Sequence, residues 1–225
     1  MAFDDLTREN LERYLRARLR PGGGSRPALL LLESGARRAV LKDYRAAGWL
    51  LRTLVGPWLT GREERIYRAL EGAPGVPRLI RRLDRHGLLV EHIEGRSCAE
   101  YADGELPAEF FARLRDVVEG IHARGVVHCD IKNRGNIVVA DSGQPYIVDF
   151  ASAFTRSERF LPFRGFLFGR FRMDDLRAVA KAKILVARVG TDEEASFAFH
   201  RGPAERVVRA LRDAARGVFR AITRR

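Results

Sequence analysis

The sequence predicts an α+β protein of two parts, strand-rich first and helix-rich second. Three observations carry this. Apolar runs of strand length recur between residues 28 and 94. From about residue 95 the apolar positions fall at helical spacing instead. No run approaches the ~18 apolar residues that a bilayer-spanning helix needs.

Residues 4–20 (DDLTRENLERYLRARLR) read as a basic amphipathic helix, with Leu6, Leu11, Leu15 and Leu19 on one stripe and Thr7 as N-cap. PGGGSRP (21–27) is a loop, because consecutive glycines between two prolines break any regular element. Residues 1–27 therefore read as an N-terminal helix and a Gly-rich linker. ALLLLES (28–34) and RAVLKDY (38–44) predict a hairpin. Residues 60–71 suit a helix that stops at GAPGVP, and 77–93 hold two short strands. In PAEFFARLRDVVEGIHARG (107–125), Pro107 opens a helix with a 3.6-period apolar face and Gly125 closes it. Strand-like VVH (126–128), NIVVA (136–140) and PYIVDF (145–150) follow, the last two joined by the turn Asp141-Ser142-Gly143. Helices are expected near 173–189 and 203–224.

Composition sets the class. The 225 residues are 46% hydrophobic and 31% charged, which suits a folded chain rather than a disordered one. The N-terminus lacks a basic start, an apolar centre and a small-residue cleavage site, so a cytoplasmic location is the expectation. Cys98 and Cys129 form no metal spacing and no disulfide framework, in keeping with a reducing compartment. Forty-one Lys and Arg against 29 Asp and Glu give a formal net charge of +12. Such a field favours an anionic partner: a nucleotide, an acidic lipid surface, a phosphorylated glycan or nucleic acid. Only Lys42, Lys132, Lys181 and Lys183 are lysines. An otherwise arginine-rich chain keeps lysine where a compact point charge is needed instead of a planar fork.

Two of those lysines fall inside motifs. Read in order, AVLK (39–42), a helix with Glu63, VEHIEG (90–95), HCDIKNRGN (128–136) and VDFA (148–151) resemble the protein-kinase superfamily signatures. The resemblance runs from about residue 28 to residue 190. It is nearest to small bacterial kinases grouped with lipopolysaccharide core-sugar kinases and RIO-like kinases, and MDDLRAVAKAK (173–183) shares that look. It implies a two-lobed protein-kinase-like fold. Residues 28–94 would form a small, mostly antiparallel N-lobe with one helix, and 95–225 a helical C-lobe ending in a basic helix.

The resemblance implies ATP and Mg2+, and it implies roles for particular residues. Lys42 would sit against the α- and β-phosphates, with Glu63 as its partner and Glu64 as the nearest competitor. Glu91 and Ile93 would contact the nucleotide. Asp130 would accept or orient the proton of the attacking hydroxyl, and Lys132 would stabilise charge on the γ-phosphate. Asp149 would hold the metal with Asn136 or, failing that, Asn133. His128 would pack beneath the catalytic loop. Each type suits its task, since phosphoryl transfer needs the phosphates held and their charge neutralised, and magnesium prefers hard oxygen donors.

The chain also departs from that pattern. HCD stands where HRD is usual, so the arginine that reads a phosphorylated activation loop is missing. One extra residue separates Asp130 from Asn136. VDFA lacks the DFG glycine, and no intact G-x-G-x-x-G is present. Gly22–Gly24 is either a phosphate cover or a linker.

The acceptor is expected to be a hydroxyl, of a protein Ser/Thr or of a lipopolysaccharide core sugar. AFTRSERFLPFRGFLFGRFR (153–172) interleaves phenylalanine with arginine where a kinase holds its acceptor. That pattern suits an anionic membrane surface, giving a peripheral inner-face location. Two other readings stand: a silent nucleotide-binding scaffold, and a RIO-like ATPase on nucleic acid. A monomer is expected.

Overall fold

The computed structural model describes residues 3–23, 26–49, 51–156 and 164–199. The chain divides into two units, one reaching to Glu64 and including Leu79–His92, the other taking Arg65–Arg78 and the chain from Ile93.

The expected N-terminal helix is corrected. Only Leu11–Tyr14 (α1) is helical, and Leu15–Arg20 (β1) is a strand. The reason lies in the next strand, Ala28–Ser34 (β2), whose leucine run would otherwise be an open edge. β1 pairs with it, Leu15 opposite Leu32 and Arg20 opposite Leu29. Interstrand bonds and the covered leucines outweigh the local helical spacing. β1 is itself the sheet edge, and its three arginines discourage pairing with another chain. Thr7 caps nothing; its amide donates to Asn10 Oδ1 at 2.7 Å.

The hairpin is as expected: β2 turns at Gly35, φ +60°, into Arg37–Asp43 (β3). Helix Gly56–Ala69 (α2) follows, then Leu79–Arg82 (β4) and Gly87–Glu91 (β5). The antiparallel sheet has the order β1-β2-β3-β5-β4. Alternation along β2 and β3 sends Leu30, Leu32, Ala39 and Leu41 into a core with Leu89, Phe3 and Leu6. Arg8 ties the N-terminal segment down, reaching Asp84 at 2.8 Å and Asp43 at 2.5 Å.

The second unit holds Gly95–Ser97 (β6), helix Ala108–Ala123 (α3), Val126–Val127 (β7), Ile137–Ala140 (β8), Pro145–Ile147 (β9) and Phe154–Thr155 (β10). Helices Arg164–Ala182 (α4) and Asp192–Phe199 (α5) complete it. β6, β8 and β9 form one small sheet, and β7 pairs with β10. Phe110, Phe111, Leu114, Val118 and Ile121 line the buried face of α3, as the sequence period requires. Helix α4 starts nine residues earlier than the 173–189 expectation, so Phe166, Phe168 and Phe171 lie on a helix. Residues 157–163 of the Phe/Arg segment and the expected helix at 203–224 lie outside the described residues.

Candidate active site

In the first unit, Lys42 lies on β3 between Leu29 of β2 and Leu88 of β5. Flanked on both sides, Lys42 is 4% exposed, and Glu63 on α2 is 1% exposed. Lys42 Nζ is 2.6 Å from Glu63 Oε1. A buried ammonium is tolerable only with such a partner. The competitor, Glu64, is engaged elsewhere, 3.3 Å from Arg82. Glu91 ends β5 opposite Ala39 and is half-buried. Gly22 and Gly23 lie in the connection from β1 to β2, where Gly23 and Arg26 exchange backbone bonds of 3.0 and 3.1 Å.

In the second unit, a loop runs from β7 through His128, Cys129 and Asp130 to the 3-10 turn Arg134–Asn136. Asn136 Nδ2 donates to the Asp130 carbonyl at 3.1 Å and to Asp130 Oδ2 at 3.2 Å. Asn133 instead caps the turn, accepting from the Gly135 amide at 3.2 Å. The Asn133 amide also donates to the Asp130 carbonyl at 3.1 Å, but of the two side chains it is that of Asn136 that bonds to Asp130. Lys132 is exposed. Ile93, at the start of this unit's main segment, is half-buried.

His128 joins the parts. Its Nδ1 accepts from the Asp130 amide at 3.3 Å, so Nε2 carries the proton and donates to the Val148 carbonyl at 3.1 Å. The ring is 1% exposed and meets Phe150 edge-on at 5.0 Å. The Val148 amide donates to the Asn136 carbonyl at 2.9 Å. Asp149, next in sequence, sits in the left-handed region at φ +66° and caps the turn Phe150–Ser152. The peptides that carry Asp130, Asn136 and Asp149 are thus linked by bonds through His128 and Val148.

One residue of this assembly escaped sequence reasoning. Asp175 on α4, 2% exposed, accepts from the His128 amide at 2.7 Å and the Cys129 amide at 3.0 Å. His122 Nε2 lies 3.2 Å away. Cys129 is in the left-handed region, φ +65°, which a non-glycine side chain holds only when its surroundings enforce it. The two amide bonds to Asp175 supply that enforcement. The only available signal was an acid within the otherwise apolar face of MDDLRAVAKAK.

The donor set fits magnesium. Asp149 and Asn136 carry hard oxygen donors, on peptides that are bonded to each other through Val148. Among the described residues no group of three or more His, Cys, Asp or Glu is placed to hold a metal. One or two carboxylates suffice for an ion that takes its remaining ligands from phosphates and water.

No family model matches the chain, and no curated protein matches it. Among solved structures it is similar to the Rio2 kinase from Chaetomium thermophilum, with a TM-score of 0.58 and 17% identity. The match covers 87% of this chain and 63% of that one. The chain therefore spans less than two thirds of that protein's length. The fold is protein-kinase-like and two-lobed: α+β, with an antiparallel five-stranded first unit and a mainly helical second.

Proposed function

We propose that the chain is an ATP- and magnesium-dependent phosphotransferase that moves the γ-phosphate of ATP to a hydroxyl acceptor, of a protein Ser/Thr or a lipopolysaccharide core sugar. The observation that carries this is the bonding of the Asp130–Asn136 loop, through His128, to the strand end that precedes Asp149, with buried Asp175 anchoring the loop.

Each residue then has a task. Lys42, held by Glu63, presents a compact positive charge to the α- and β-phosphates. Glu91 and Ile93 bind the nucleotide, and Gly22 and Gly23 permit its phosphates close approach to backbone. Asp130 takes the proton of the acceptor hydroxyl as the hydroxyl oxygen bonds to the γ-phosphorus, the bond from that phosphorus to the β–γ bridging oxygen breaks and ADP leaves, and Lys132 offsets charge on the γ-phosphate. Asp149 and Asn136 hold magnesium, which when bound neutralises the phosphate oxygens.

A second reading, a catalytically silent nucleotide binder, is favoured by one contact: Asp149 Oδ1 also accepts from the Ala151 amide at 3.4 Å. The test is incubation with γ-labelled ATP and magnesium, with protein and lipopolysaccharide acceptors offered separately. Labelled acceptor, absent with Asp130→Asn, is the expected result and names the acceptor class. Release of phosphate with no acceptor labelled would point to an ATPase. Magnesium-dependent ATP binding without turnover would establish the silent reading.

A further inference from the structure

The chain has two tryptophans, Trp49 and Trp58. Both lie in the first unit, in the connection from β3 to α2 and in the first turns of α2. Trp49 is 65% exposed and Trp58 59%, although tryptophan is highly buried on average.

The segment that presents them is firmly built. Tyr44 and Ala47 are buried, and Val55 and Leu59 pack against them. His86 Nε2 lies 2.8 Å from the Arg52 carbonyl, and Thr53 Oγ1 donates to the Trp49 carbonyl at 2.8 Å. The inner side of the segment is thus fixed on the unit while both indoles face outward.

Between Asp43 and Glu63 the charge along the chain has one sign. From Tyr44 to Arg62 the sequence has three arginines, Arg45, Arg52 and Arg62, and no acid. Arg45 and Arg52 are exposed, and the Arg62 guanidinium lies 5.6 Å over the Trp58 ring.

We infer that this segment is a docking surface for an anionic phospholipid bilayer. Indoles settle at the level of lipid headgroups, with the ring against acyl chains and the N–H in water. Arginines beside them meet anionic headgroups, and the net charge of +12 adds long-range attraction. The sequence GWLLRTLVGPWL (48–59) is apolar apart from Arg52 and Thr53. That suits an interfacial segment better than a nucleic-acid surface, where basic side chains dominate. The segment lies in the interface, since its inner side is already committed to the protein.

The test uses the full chain, vesicles of phosphatidylcholine alone and vesicles of phosphatidylcholine with phosphatidylglycerol. Intrinsic tryptophan emission reports on this surface alone, because no other tryptophan exists. On the anionic vesicles the emission should shift to the blue and be quenched by brominated acyl chains. Affinity should fall on the order of tenfold or more in Trp49→Ser/Trp58→Ser, and about fivefold in Arg52→Gln. An unshifted emission overturns the inference, whether the protein fails to sediment with vesicles or sediments through another surface. A shift produced by oligouridylate, or by raised protein concentration without lipid, assigns the surface to nucleic acid or to a second copy and also overturns it. Should the double variant melt early, the quenching of the unaltered chain decides alone.

Discussion

Replacing Asp175 by alanine removes a carboxylate that serves two backbone amides and one imidazole. The bonds are 2.7 Å from the His128 amide, 3.0 Å from the Cys129 amide and 3.2 Å to His122 Nε2. Asp175 is 2% exposed, so bulk water does not take over its duties. A stranded buried donor costs about 1–3 kcal/mol. The three partners are neighbours and their costs do not simply add, which gives about 3–5 kcal/mol in all. Stability of folded chains is only roughly 5–15 kcal/mol. At about 2–4 °C per kcal/mol for a chain of this size, the melting temperature should fall by about 6–20 °C. Function should fall too. Cys129 at φ +65° occupies a conformation that costs about 1–3 kcal/mol. Without Asp175 its peptide relaxes and carries Asp130 with it, and misplacement on the order of 1 Å costs about 100-fold in rate. Asp175→Asn, which keeps one acceptor oxygen, should fall between wild type and alanine. The assay is a circular-dichroism melt paired with phosphoryl transfer well below the midpoint. An alanine variant melting within about 2 °C of wild type would refute the energetics. One that melts early yet transfers phosphate at full rate would refute the positioning role.

Three further outcomes follow from the same geometry. Lys42→Met should strand Glu63 in the core and cost about 3–5 kcal/mol in urea melts, while Lys42→Met/Glu63→Leu recovers most of that stability and neither variant transfers phosphate. Gly95→Ala should destabilise the second unit by several kcal/mol, because at φ +150° a Cβ would run into the Val139 carbonyl oxygen and lie 2.7 Å from Ala140 Cα, both backbone atoms; a variant melting like wild type contradicts this. Burial alone would raise the Asp84 pKa, but bonds from Arg8 and the His86 amide overcome it and lower the value from 3.8 to about 2. A depressed carboxylate contributes stability that is present above its unfolded pKa and lost as pH falls through its folded one. With the Asp84 side chain 32% exposed, solvent screening leaves about 1–2 kcal/mol of this. Arg8→Met should therefore flatten the loss of urea stability between about pH 4 and pH 2, and an unchanged slope would contradict the role given to Arg8.

Local signals made much of the fold legible. The β2–β3 hairpin, α3 and the Asp141-Ser142-Gly143 turn each follow from periodicity and turn residues confined to a short stretch. The Lys42–Glu63 pair came from motif order, and the buried 2.6 Å contact agrees with it. β1 was illegible for a physical reason. Leu6, Leu11, Leu15 and Leu19 have helical spacing, and only pairing with β2, several residues downstream, selects the strand. Asp175 was hidden because its partners are amides 46 and 47 residues earlier in the chain, a separation no spacing rule covers. The tryptophans escaped attention for the opposite reason: large apolar residues in a sequence read as core until exposure is known.

The phosphotransferase assignment is tested most directly by transfer of label from γ-labelled ATP to protein or lipopolysaccharide acceptors, in magnesium and in EDTA, for wild type and Asp149→Asn. Magnesium-dependent labelling of an acceptor by wild type is expected, falling by on the order of 100-fold or more in the variant, where the negative charge on the ligand is lost. Equal labelling by the two proteins, or no acceptor labelled by wild type in saturating magnesium, would contradict it.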